Sequence, residues 1–193
     1  MVKVVDSRKI ILLDADIMFH FLFADELGKL QSIFPSKHLH IPDIVYNELT
    51  VSPRYQTQID NLFLYGYAKK MDFPEDNEIK KTYGILRKEG KGKGESACMA
   101  IAKHKGYEIG SSNWGDIYDF CTNNDITHYS TLDFLYTACC NSIMTERECE
   151  YFISAVRGKK GRIKFSMKEY IDMIKKGHRD DLYATIKKIG MTA

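Results

Sequence analysis

The stretch GKGESACMAIAKHKGYEIGSSNWGDI, Gly92 to Ile117, decides the fold. Glu95 opens a helix whose body, Ala97 to Ala102, is apolar on every face. Such a helix is packed on all sides, so its first turn lies at the rim of a core. A β-prone segment, Tyr107 to Gly110, follows, and then a polar turn, Ser111-Ser112-Asn113, that leads to Asp116 in the helix Trp114 to Cys121. Taken alone, Glu95 reads as an acid complementing its helix dipole. Two more carboxylates, Asp14 and Glu48, hold similar rim positions upstream, and together they suggest acids gathered at one edge of the core.

Outward from that stretch, Lys9-Ile-Ile-Leu-Leu-Asp14 is a short apolar run ending in a carboxylate, as expected of a central strand buried on both faces. Asp16 follows, and Ile17 to Phe23 reads as a helix deep against the sheet, with His20 as a core histidine. Lys37 to Ile41 is β-like, and Pro42 opens a helix, Asp43 to Leu49, where its missing N–H costs nothing. Glu48 borders the apolar stripe of that helix. His38 and His40 alternate onto one strand face, but no third soft ligand stands near them to complete a metal site.

Further helices are expected over Ser52 to Leu64 and Glu75 to Lys88, separated by an extended piece from Tyr67 to Phe73. Ile126 to Tyr129 reads as a strand and Thr131 to Cys140 as a helix. Thr145-Glu-Arg-Glu148 and Ser166-Met-Lys-Glu169 have capping-box form and mark two late helix starts. Strands alternating with helices of this length imply an α/β fold with a small parallel sheet of four to five strands. Ligands of such a sheet bind at the carboxyl ends of its strands, where Asp14 and the Ser111 to Asp116 turn fall.

The chain has 193 residues, 44% hydrophobic, and no Pro/Gly/Ser-rich linker, so a single domain is expected over 1–193, its core about 9–140 and a helical extension over 141–193. No run approaches the ~18 apolar residues of a membrane span, and the N-terminus lacks a signal peptide's apolar region, which implies a cytoplasmic protein without a membrane partner. Five Cys with no CxxC pair speak against a disulfide framework or a zinc knuckle. From Arg157 onward 11 Lys/Arg face 4 Asp/Glu, whereas residues 1–156 carry 17 basic against 22 acidic. An acidic body with a basic arm suits a protein that concentrates cations in one place and polyanions beside it.

Carboxylates crowded near a core repel one another unless a cation is held between them. A donor set of oxygens alone favours Mg²⁺ or Mn²⁺ over zinc, and a hard divalent ion in an acidic site supports hydrolysis of phosphodiesters.

At these residues the chain resembles the PIN-domain ribonucleases. The likeness rests on Ile10-Ile-Leu-Leu-Asp-Ala-Asp-Ile17, on Ile41-Pro-Asp-Ile-Val-Tyr-Asn-Glu-Leu49 and on Gly94-Glu-Ser-Ala-Cys-Met-Ala-Ile-Ala102, and it covers roughly residues 9–140. The resemblance implies a metal-dependent nuclease acting on single-stranded RNA, with a small parallel sheet wrapped by helices. Asp14, Glu48, Glu95 and Asp116 are then the catalytic acids, with Asp14, Glu95 and Asp116 on the metal and Asp16, Ser112 and Asn113 in support. Lys159, Lys160 and Arg162 are the expected RNA contacts, and an antitoxin-like inhibitor and a homodimer are the partners usual for such nucleases.

The chain departs from the family pattern at two places. Where Asn often stands two residues after the first acid, it has Asp16; where an acidic pair follows the fourth strand, it has Ser112 and Asn113, with Asp116 one turn later. A catalytically weak RNA- or protein-binding relative is therefore an alternative. Asp14-Ala-Asp16 also resembles the opening of the haloacid-dehalogenase-type phosphatases, with Asp14 as nucleophile and Asp16 as acid/base. That reading leaves Glu48 and Glu95 unused.

Overall fold

In the computed structural model, residues 10–177 are described. Ile10–Leu13 form β1, with all four residues buried, as their unbroken apolar run requires of a strand covered on both faces. The chain turns at Asp14 into α1, Ala15–Ala24. A 3₁₀ turn at Leu27–Lys29 and a four-residue helix α2, Leu30–Ile33, then bring it to β2, His38–Pro42. Next come α3, Asp43–Leu49, α4, Pro53–Leu64, and β3, Lys69–Met71. Two long helices, α5, Asn77–Lys88, and α6, Lys93–Lys105, lead to β4, Glu108–Gly110. The remaining elements are α7, Trp114–Asn123, β5, His128–Tyr129, α8, Thr131–Cys140, α9, Glu146–Gly158, and α10, Met167–Lys175.

The sheet is parallel throughout, in the order β3-β2-β1-β4-β5. Leu12 lies opposite His40 on one side and Ile109 on the other, so β1 is central. The chain winds outward from β1 to β3, crosses back through α5 and α6, and winds outward again from β4. The strand order thus reverses between β1 and β4, and their carboxyl ends diverge into α1 and α7 at the crevice this topology provides. Asp14 N–H donates to the Gly110 carbonyl at 2.9 Å, and Ser111 N–H to that of Tyr129 at 3.0 Å, which holds this edge in register.

Helix α6 is the pivot of the packing. Gly94 through Ala102 are buried, because the helix is enclosed by α3, α5, α7 and the sheet. Small residues on its faces allow that enclosure on all sides. Opposite, α1 buries Ile17, Met18, Phe21 and Leu22, and the Phe21 and Phe152 rings meet edge to face at 4.9 Å, which seats α9 on α1. Both late capping boxes are formed: Thr145 with Glu148 and Ser166 with Glu169 exchange side-chain and backbone bonds. The fully buried Tyr170 donates its hydroxyl to Asp133 Oδ1 at 2.6 Å and ties α10 to α8.

Several boundaries differ from expectation for local reasons. Pro42 ends β2 and stands before α3 rather than opening it. Asp76 accepts from Glu78 and Ile79 N–H, so α5 starts at Asn77 instead of Glu75. Helix α6 opens at Lys93, which makes Glu95 its third residue, and α7 continues to Asn123. Among the described residues no helix is long and apolar enough to cross a membrane.

Candidate active site at the carboxyl edge of the sheet

Asp14 is the residue at which β1 becomes α1, and it caps that helix: its Oδ1 accepts from Ala15 N–H at 2.8 Å, while Oδ2 accepts from the buried Ser111 hydroxyl at 2.9 Å. Only 4% of it is exposed. Burial above all, and next the negative charge of Asp16, raise its carboxyl from 3.8 to about 7 despite those two bonds; Glu48 adds to the rise.

Glu48 reaches the same place from α3. Its Oε1 accepts from Gly94 N–H, in the first turn of α6, at 2.9 Å. A carboxylate there is favoured by the free amides and the dipole of the helix N-terminus. Glu95 sits one residue on, 6% exposed. Its Oε2 accepts from Gly92 N–H at 3.2 Å, so Glu95 does serve its own helix end, and its Oε1 accepts from Asn113 Nδ2 at 3.4 Å.

Gly94 explains how these acids come so close. A Cβ built there would stand 2.8 Å from Glu48 Oε2, 3.2 Å from Asp14 Oδ1 and 3.0 Å from Val45 Cγ2. Two carboxylate oxygens therefore share a methyl-sized gap that exists only because residue 94 has no side chain. All three acids act on Cys98 just beneath: burial pushes its thiol well above the usual range, and Asp14, Glu48 and Glu95 push it further. Asp14, Glu48 and Glu95 are thus brought together by three separate elements. Among the described residues neither Asp14 nor Glu48 makes an ion pair, and no three His, Cys, Asp or Glu side chains stand close enough to form a complete metal-ligand group. What Asp14, Glu48 and Glu95 offer is oxygen alone, the donor type that a hard divalent cation takes.

The supporting residues divide. Asp16 is exposed and is the second residue of α1. Ser112 bonds to Thr131: its Oγ accepts from Thr131 N–H at 3.1 Å and shares a hydrogen bond of 2.5 Å with Thr131 Oγ1. Thr131 Oγ1 in turn lies 2.7 Å from His20 Nδ1, joining β4, α8 and α1. Of this turn, Ser111 reaches Asp14 and Asn113 reaches Glu95. Asp116 belongs to α7, and its side chain lies outside the described residues, as do the basic residues beyond Gly177.

Beside the acids lies a cavity of about 460 Å³ that was not expected from the sequence. Asp16, Phe19, His20 and Phe23 line one wall, all from a single face of α1. Ser112 and Asn113 form its inner side, and Lys160, Gly161 and Arg162, from the turn after α9, close it. Lys159 stands apart from the other two expected RNA contacts, donating to the Phe23 carbonyl at 3.0 Å with its ammonium 5.7 Å over that ring. His20 is a buried histidine bonded to Thr131, as expected, but it also faces the cavity. The i, i+3, i+4, i+7 spacing of positions 16, 19, 20 and 23 was the available signal. No protein-family model matches this chain, and a search of curated proteins finds no relative.

Proposed function

We propose that the chain is a Mg²⁺- or Mn²⁺-dependent ribonuclease of the PIN-domain type, which hydrolyses phosphodiester bonds of single-stranded RNA at the carboxyl edge of its sheet. The observation that carries this reading is the gap over Gly94, where Asp14 and Glu48 present oxygens to the same small volume. Asp14 and Glu48 would hold the ion, with Glu95 alongside. When bound, the ion supplies positive charge to the phosphodiester and lowers the pKa of water there.

The chain's own residues do the rest. Ser111 and the Ala15 amide fix the Asp14 carboxyl in place, and the first turn of α6 fixes that of Glu48. Lys160 and Arg162 draw the RNA backbone to the mouth of the site, a contribution without sequence preference. A non-cleaving RNA-binding relative is the second reading, favoured by the engagement of Glu95 with Gly92 and Asn113.

Calorimetry with Mn²⁺ and single-turnover cleavage of a short unstructured RNA test the proposal. The wild type should bind Mn²⁺ with micromolar to millimolar affinity and cleave, and Asp14→Asn should lose both. Equal Mn²⁺ binding in wild type and Asp14→Asn overturns the metal site. Mn²⁺ binding without cleavage by the wild type moves the assignment to the binding module. Asp116→Asn in the same cleavage assay determines whether α7 supplies a further acid.

A further inference from the structure

We infer that the cavity beside the acids is a subsite for one unpaired nucleotide, its base against Phe19 and Phe23 and its phosphate toward Lys160 and Arg162. The inference rests on the nucleic-acid reading above and adds to it the part of the substrate that is recognised.

Size comes first. About 460 Å³ lies within the range of pockets that enclose a single small ligand, roughly 300–1,000 Å³. The lining has an apolar part and a cationic part, with His20, Ser112, Asn113 and the carboxylate of Asp16 besides. Phe19 and Phe23, both half-buried, lie with ring centroids 5.9 Å apart and planes 29° apart, a continuous apolar wall on α1. Nucleobases stack on such walls whatever their identity, since each has a π-face. Across from it stand two cations, the arrangement that takes up the phosphate of the same nucleotide. An isolated inorganic anion or a peptide carboxylate would use the cations and leave the rings unused.

The polar groups between wall and cations suit a base edge. His20 Nδ1 is committed to Thr131, and among the described residues Nε2 has no partner. Burial lowers the ring to about 4, so near neutral pH it is an uncharged hydrogen-bonding group rather than a third cation. The backbone of the turn that carries these cations is held in place. Lys160 adopts a φ of 64°, and Gly161 N–H donates to the Val156 carbonyl at 2.9 Å. A Cβ at Gly161 would stand 2.4 Å from Val156 Cγ1 and 3.3 Å from His20 Cδ2, so this turn touches the histidine directly. Arg157 secures the outgoing strand of the turn, donating to the Ile163 and Lys164 carbonyls at 2.8 and 3.0 Å. A preformed pocket of this sort spares the ligand the cost of ordering it.

The test is metal-free titration, in EDTA, of the full chain with the four ribonucleoside 5′-monophosphates and with ribose 5-phosphate, followed by NMR chemical shifts. Nucleotides should bind about tenfold or more tightly than ribose 5-phosphate, the span of one base stacked on an aromatic. Phe19→Leu with Phe23→Leu should erase most of that difference while ribose 5-phosphate binding persists, which also shows that the variant is folded. Lys160→Ala with Arg162→Ala should weaken both classes of probe alike. Equal affinity for nucleotides and ribose 5-phosphate, or no binding of either, overturns the subsite, as does a base preference that survives the double leucine variant. Cleavage of RNA without base-dependent binding removes this inference and leaves the nuclease reading standing; base-dependent binding with no cleavage in Mn²⁺ does the reverse.

Discussion

Replacing Asp14 with Asn should stabilise the metal-free protein, by an amount that grows with pH. In the folded chain the Asp14 carboxyl titrates at about 7, against 3.8 as the ordinary value. The folded state therefore holds this proton more tightly than the unfolded state does. That contribution is fully present below the unfolded pKa and is lost as pH rises through the folded one. The shift corresponds to about 4 kcal/mol, of which about 2–3 kcal/mol is lost between about pH 5 and about pH 8. Asn keeps a helix-capping oxygen for Ala15 and can still pair with Ser111, so the change removes the charge and little else.

Urea unfolding of both proteins in EDTA at several pH values measures the effect. The stability difference should widen by about 2–3 kcal/mol from about pH 5 to about pH 8, because only the wild type carries the titrating group. Adding Mn²⁺ at about 100 times its Kd should then raise the wild type alone by ~2.7 kcal/mol and close most of the gap. A difference that stays flat with pH would refute the reasoning, since it would mean that Asp14 ionises in the folded state as readily as in the unfolded one.

Gly94→Ala should remove Mn²⁺ binding and cost about 1–3 kcal/mol of stability, because the new methyl would occupy the gap between Glu48 and Asp14 and press on Val45; calorimetry and urea melts read the two effects. Reversing Lys160 and Arg162 to Glu should weaken binding of single-stranded RNA and lower the slope of log affinity against log salt by about 1.4 or more, each lost phosphate contact counting ~0.7; an unchanged slope would place the RNA elsewhere.

The sequence carried what local physics determines. The apolar run to Leu13, the all-round apolar α6 and the two capping boxes are short-range signals, and they appear in the structure where they were expected. Of the expected acids, Asp14 and Glu48 meet over Gly94 with Glu95 in the same helical turn, but among the described residues no three of them stand as one ligand group, and the Asp116 side chain lies outside those residues. The gap over Gly94 was hidden, since it depends on how closely α3 approaches α6. The cavity was hidden for a related reason: Lys160 and Arg162 meet α1 only because Phe152 packs on Phe21, far away in sequence. On α1 itself, the spacing of Asp16, Phe19, His20 and Phe23 marks one face, but Ile17 to Phe23 is so apolar that this face reads as more core. The short helix α2, at four residues, is below the length at which periodicity can be read.

The question raised by the acidic edge is why Asp14 is an aspartate at all. As a helix cap, Asn would serve about as well, and it would not carry a charge that burial and Asp16 together oppose. The fold already does much to ease the crowding, since Asp14 caps α1 while Glu48 and Glu95 both accept from the first turn of α6 or the residue before it. Even so, its pKa stays near 7, so these contacts do not compensate for the burial. A residual penalty of several kcal/mol is large against the roughly 5–15 kcal/mol that stabilises a domain. Strongly displaced carboxylates of this kind concentrate at functional sites, where the charge serves something other than folding. A cation held by Asp14 and Glu48 would remove the penalty and use the charge at once, which is why the pH dependence of Asp14→Asn, with and without Mn²⁺, bears on function as directly as on stability.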